Sequence, residues 1–389
     1  MRKLAAALIA LLLCVEIVRV TAVRALARGR PADAAKVWAG HPQVQLVTGL
    51  TAIAAATREG RPVTPAMLSS IYAAAPKAPL LPDPFLVRGV EAQFAGNPRL
   101  AEQAFIEASR RDARSLPARF FLADTYFRRG DARRGLPEIG VLARLVPDGA
   151  NKLAPYVASY AKNRANWPLV RSLLTYDHNL EQAALATLAA DAANADAVVA
   201  LTSPESRRPG TPWLQPLLAN LVAAGDYAKA KEIWARWSRA VVPAGALYDP
   251  DFRDAAAPAP FNWTLTSSTV GFAERQKGGG LHVTYYGHED GALASQLLLL
   301  PPGRYALSAS GSANGGNVDP LRWALICAKG NKSIATSPLA AALAGGWAFD
   351  VPADCPAQRL ELQGSASDMP QQAEVTLRSV RLSRGGGNA

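Results

Sequence analysis

The chain has 389 residues and a formal net charge of +11, long enough for two domains with separate cores. The charge is uneven: Lys and Arg outnumber Asp and Glu by 32 to 22 up to Ala257 and by only 10 to 9 after it. The basic excess therefore belongs to the first part, and no recognition motif accompanies it, which argues against nucleic acid as a partner.

The N-terminus reads "MRKLAAALIALLLCVEIVRVTAVRALA". Arg2 and Lys3 form a positive end, and residues 4–15 are an unbroken apolar run. Such a run suits a signal peptide better than a membrane span of about 20 residues. Two features point the other way. The A-x-A-like site Ala25-Leu26-Ala27 lies beyond Glu16, Arg19 and Arg24, and apolar positions continue through Ile17, Val18, Val20 and Val23. The expectation is an uncleaved signal-anchor over residues 1–24, with a periplasmic body tethered to the inner membrane. Cleavage and release into the periplasm is the alternative. Leu13 before Cys14 argues against lipoprotein processing. The other two cysteines, Cys327 and Cys355, both fall in the C-terminal part. An oxidising compartment permits them to pair, with two separate buried thiols as the alternative.

Residues 25–242 carry a helical repeat. "FLVRGVEAQFAGNPRLAEQAFIEA" sets Phe85, Gly89, Ala92, Gly96, Ala101, Phe105 and Ala108 at offsets that recur 34 residues later. The second set is Arg119, Ala123, Tyr126, Gly130, Gly135, Ile139 and Leu142, with Pro147 closing the unit. Small residues such as Gly89, Ala101 and Ala123 suit the close crossing of two helices, Phe105 and Tyr126 fill the space between them, and Gly96 and Gly130 serve the turn. This pattern resembles the tetratricopeptide repeat. Weaker copies include Leu218, Leu221, Gly225, Ala230 and Trp234, and near the start Gly29, Ala34 and Trp38. Tyr160 and Trp167 mark a copy without the turn glycine, and residues 177–210 match none. Five or six hairpins are expected, the first with its leading helix inside residues 15–28. The resemblance implies a stacked α-solenoid whose groove holds a protein partner.

Within this array, Arg110, Arg111, Arg114, Arg119, Arg128, Arg129, Arg133 and Arg134 form a run against Asp112, Asp124 and Asp131. Seven of these, Arg119 being left out, are the candidate basic patch, a face for an acidic polymer, anionic lipid or acidic protein. The alternative is solvated turns and helix backs.

Residues 243–260, rich in Pro and Ala, read as a linker; residues 261–384 as an antiparallel β-sandwich; and residues 385–389 as a disordered tail. The period changes from 3.6 to 2: Leu281, Val283 and Tyr285 alternate with His282, Thr284 and Tyr286. Tyr305, Leu307 and Ala309, then Leu321, Trp323, Leu325 and Cys327, repeat the alternation. Pro302-Gly303 suits a turn before a strand. The order "FNWTL", "GLHVTYYG", "ASQLLLLPPGRYALSASG", "VTLRSVRL" resembles jelly-roll, galactose-binding-like modules, a class with both carbohydrate-binding and purely structural members. The resemblance implies a sugar site of aromatic faces and planar polar groups. The candidates are Tyr286, His288, Glu289 and Asp290 in one loop, with His282, Trp263 and Trp347; the alternatives are a place in the core for the two tryptophans and a plain polar hairpin tip for the loop. A structural calcium ion at Glu289 and Asp290 is a weaker expectation.

No histidine has metal-ligand spacing, and no G-x-S-x-G elbow or Walker loop appears; "KGGGL" precedes a strand rather than a helix. Glu289 and Asp290 are adjacent, so their side chains diverge on a strand and cannot make the converging pair of a glycosidase. The reading is a non-enzymatic exported envelope adaptor, binding a protein through its repeats and polysaccharide through its sandwich. Exopolysaccharide assembly is its natural setting. A protein-only assembly factor is the first alternative and a glycan-acting enzyme the second.

Overall fold

A computed structural model describes residues 2–27, 29–208, 210–240, 247–313 and 317–385. The chain forms two compact units, residues 1–153 and 154–389. An α-solenoid of helical hairpins comes first and an antiparallel β-sandwich follows.

In the first unit, consecutive helices pair. Helix α1 (Arg2–Ala27) packs on α2 (Pro31–Trp38), α3 (Pro42–Arg58) on α4 (Pro65–Ala74), α5 (Asp83–Phe94) on α6 (Pro98–Arg111), and α7 (Leu116–Arg128) on α8 (Ala132–Leu145). Proline stands at the first or second position of α2 through α7, where its missing N–H costs nothing. In the α5–α6 and α7–α8 hairpins the turn is built from two residues. Gly96 and Gly130 take φ of +68° and +72°, and the next amides, of Asn97 and Asp131, bond back to Ala92 O and Tyr126 O. These are Schellman closures. The same Asn97 and Asp131 then accept from the N–H groups of Leu100 and Arg134, each at 3.2 Å, and so cap the following helix. Gly225 and Asp226 repeat the device.

Side-chain roles follow the repeat pattern. A Cβ at Gly89 would lie 2.6 Å from Phe105 Cδ1, so glycine sets the closeness of α5 and α6. Phe105 and Tyr126 share one core with Ala92, Ala101 and Leu122.

Helix α9 (Gly149–Ala161) carries the chain into the second unit. There α10 (Trp167–Thr175), α11 (His178–Ala189) and α12 (Ala195–Leu201) pack less regularly, and α13 (Leu214–Ala223) and α14 (Tyr227–Ser238) form the last hairpin. The mismatch of residues 177–210 with the repeat has a cause. The buried Glu181 carboxylate accepts from Ser203 N–H (2.7 Å), Ser203 O–H (3.1 Å) and Ser206 O–H (2.9 Å), which ties a short turn to α11 instead of a longer helix.

The sandwich contains β1 (Thr264–Leu265), β2 (Gly271–Arg275), β3 (Leu281–Tyr285), β4 (Gly291–Leu298), β5 (Gly303–Ala313), β6 (Leu321–Cys327) and β7 (Lys332–Pro338). After a short helix, α15 (Leu339–Ala344), come β8 (Trp347–Val351), β9 (Gln358–Gly364) and β10 (Ala373–Arg384). The sheets run β1-β4-β9-β6-β7 and β2-β3-β10-β5-β8, antiparallel throughout. The alternating positions Leu281, Val283, Tyr285, Tyr305, Leu307, Leu321, Trp323 and Leu325 point into the shared core.

The expected linker differs from what the structure shows. Residues 243–246 lie outside the described residues, as does 386–389 of the expected tail. From Leu247 on, the segment is packed: Leu247 and Phe252 are sandwich core. Tyr248 exchanges two hydrogen bonds with Gln296, whose side chain donates to Tyr248 O at 2.9 Å and accepts from Tyr248 N–H at 3.2 Å. Val380 N–H and Gly280 N–H donate to Pro250 O and Asp251 O. Two bulky apolar residues among the prolines complete a core that the ten strands leave open, so this stretch is a wall of the domain.

Candidate functional site

The N-terminal helix is the first candidate element. Residues Ala6–Ala27 are long and apolar enough to cross a membrane. Leu8, Ile9, Leu11, Leu12, Leu13, Val15, Ile17 and Val18 are all exposed. The same helix ends inside the first hairpin: Val23 and Ala27 are fully buried with Ala34 and Val44, beside Leu26 and Trp38. The Arg19 guanidinium lies 4.0 Å from the Trp38 ring, a cation–π contact. The hairpin thus begins in the leader as expected; Arg28 lies outside the described residues.

The arginine run is arranged as pairs. Glu102 of α6 takes both Arg129 and Arg134, Glu107 takes Arg110 and Arg111, Asp124 takes Arg128, and Glu138 takes Arg119 at 2.9 Å. Arg111 also covers the Phe85 ring at 3.7 Å and donates to Pro79 O, while Arg129 donates to Pro98 O. Partners on α6 explain the pattern, because the 34-residue offset brings Glu102 against the turn of the next repeat. Arg114 and Arg133 have no ion pair among the described residues, so the uncompensated charge of this face is much smaller than the run implies.

At one end of the sandwich, three loops converge. Tyr286 N–H donates to Val270 O. Glu289 accepts from the Thr269 hydroxyl (2.8 Å), and Asp290 accepts from Ala366 N–H (2.7 Å). Tyr286 and His288 are exposed, but both carboxylates serve loop-to-loop bonds. No group of three or more His, Cys, Asp or Glu that could hold a metal gathers among the described residues. His282 is not in this loop. It lies on the outer face of β3, 3.4 Å from Thr376 Oγ1, 3.3 Å from Thr284 Oγ1 and 3.7 Å from Glu374.

Two aromatic candidates take the alternative place, in the core, and drop out as sugar contacts. Trp263 is 4% exposed and Trp347 7%, both in the sandwich core. Trp263 packs on Phe252 and donates from its indole N–H to Asp249 O (3.0 Å), while Trp347 stands 4.8 Å from Phe349. Large apolar area decides their place, and neither offers a face to a sugar.

The pairing of Cys327 with Cys355 is present, with a Cα–Cα distance of 5.6 Å. The bridge joins the end of β6 to the loop before β9, and Ala328 N–H donates to Ala357 O beside it. Next to this bridge is a feature that sequence reasoning missed. A cleft of about 670 Å³ lies between the α13–α14 turn and the outward face of β1, β4 and β9. Its floor is Thr264, Ser295 and Leu297; its walls include Tyr227, Lys329 and Arg359. Thr264 and Ser295 are register partners, as are Leu297 and Arg359. Trp234 of α14 holds the helical wall in place, donating from its indole N–H to Pro258 O at 2.7 Å and packing on Tyr248 and Phe261. Lining residues more than a hundred positions apart left no sequence signal.

No protein-family model and no curated protein matches the chain. Among solved structures, one titled "MamA RS-1 ArsTM double mutant" is similar at 16% identity and a TM-score of 0.23, over 50% of this chain and 92% of that one. A likeness at that level carries no argument about activity or partners.

Proposed function

We propose that the protein is a membrane-tethered, non-enzymatic adaptor of a bacterial envelope, with its body in the periplasm. In this reading the helical hairpins are tetratricopeptide-class repeats that hold a protein partner, and the sandwich is a carbohydrate-binding-class module that contacts polysaccharide during envelope-glycan assembly. The observation that carries it is the double use of α1: an apolar, exposed first part and a last turn buried in the array's first core. A leader removed after Ala27 would take Val23 and Leu26 with it and open that core. The disulfide is consistent with an oxidising compartment.

Protein binding draws support from large apolar side chains left in water on the first unit: Leu80, Phe94 and Phe120 are 80%, 89% and 60% exposed. The test is capture of a stoichiometric partner from envelope extracts by the full chain, compared with the Phe94→Ser and Phe120→Ser variants. Loss of the partner in either variant supports the reading, and absence of any stoichiometric partner contradicts it. The protein-only alternative draws on the core positions of Trp263 and Trp347, which remove the stacking platform expected at the loop end.

A further inference from the structure

We propose that the cleft between the α13–α14 turn and the β1-β4-β9 face binds a glycan segment bearing carboxylates, such as a uronate oligosaccharide. This rests on the reading of the sandwich as polysaccharide-contacting, and it moves the contact away from the loop end to a different surface.

The lining matches such a ligand group by group. Lys329, on the β6–β7 turn, has no ion pair among the described residues and lines the cleft. Arg359 lies on the neighbouring strand, its Nε bonded to Glu361. Glu361 in turn accepts from Gln363 Nε2 at 2.6 Å, and Gln363 accepts from Arg322 Nε at 3.3 Å. The Glu361 charge is thus divided between two donors, and Lys329 is the cation free to meet an incoming carboxylate. The Thr264 and Ser295 hydroxyls, side by side across β1 and β4, offer donors and acceptors to a hydroxyl rim. Pro260, Pro356 and Tyr227 present apolar surface to the flat face of a ring. A volume of about 670 Å³ suits a short oligosaccharide.

The site is also held in shape. The Cys327–Cys355 bridge ties together the two segments that carry Lys329 and Arg359, and Gly330 takes φ of +79° in the turn next to Lys329. The backbone segments that carry the two cations are thus tied before the ligand arrives, which lessens the ordering cost of binding.

The experiment is isothermal titration of the full chain in detergent with oligogalacturonate, a neutral dextran oligosaccharide and poly-glutamate. Wild type is compared with Lys329→Glu, Lys329→Arg and Ala224→Trp, the last of which fills the cleft from its helical wall without changing charge. The expected result is oligogalacturonate binding that falls about tenfold or more in Lys329→Glu and in Ala224→Trp, and that Lys329→Arg retains. Glycan binding indifferent to both blocking variants, or selective for dextran, overturns the cleft assignment while leaving polysaccharide contact in place. Poly-glutamate binding lost in Lys329→Glu, without glycan binding, overturns the ligand class. No binding of any glycan overturns this inference and the polysaccharide half of the proposed function together.

Discussion

Removing the Cys327–Cys355 bridge perturbs the sandwich in a way that can be sized from its loop. The bridge closes 28 residues, for which the chain-entropy relation gives about 3.6 kcal/mol at 25 °C, or roughly 400-fold in the opening equilibrium. That stabilisation acts on β6 and β9, which pair from Leu321↔Gly364 to Cys327↔Gln358. The perturbation is the double variant Cys327→Ala and Cys355→Ala, which keeps small buried side chains in both places. The assay is backbone hydrogen exchange followed by mass spectrometry on the detergent-solubilised chain. The expected outcome is faster exchange in β6 and β9, approaching 400-fold where whole-domain opening governs exchange, with α5 to α8 unchanged. Acceleration under about threefold in these strands, or an equal effect in α5 to α8, would refute the reasoning.

Two other outcomes follow from particular contacts. Gly89→Ala gains about 1 kcal/mol in helix propensity but forces a methyl group against the Phe105 ring, and overpacking of this kind costs about 1–3 kcal/mol. The melting midpoint of the helical part should fall, and a higher midpoint would contradict the close-crossing role. Burial works against ionisation of Asp254, yet the Tyr248 hydroxyl and the Ala256 and Ala257 N–H groups outweigh it and hold its carboxyl below the usual range. A depressed folded value means the contribution is full above the unfolded value of about 3.9 and is lost as pH falls through the folded one. Tryptophan fluorescence, to which Trp234 contributes through its packing on Tyr248, should therefore shift at acid pH in wild type. In Asp254→Asn that acid step should be missing, and an unchanged step would remove Asp254 from the explanation.

Periodicity made most of the architecture legible. Gly96 and Gly130, spaced 34 apart, mark turns because their positive φ closes one helix while the following Asn97 or Asp131 opens the next, a local rule that a sequence displays. The strand alternation at Leu281, Val283 and Tyr285 is equally local. The alternatives that the sequence left open are decided by tertiary partners. Trp263 reads as core or as a sugar platform, and Phe252, hidden in a proline-rich stretch, packs on it and decides for the core. The arginine run reads as a basic face or as solvated turns and helix backs, and Glu102 between Arg129 and Arg134 speaks for the second. Lys329 and Arg359 meet Tyr227 only through the fold.

In the proposed reading one helix is both membrane anchor and part of the array. Its most direct test is the intact mass and fractionation of the protein from envelope membranes. The expected result is a membrane-bound chain whose N-terminal residues through Ala27 are retained. A soluble periplasmic protein beginning after Ala27 would contradict it.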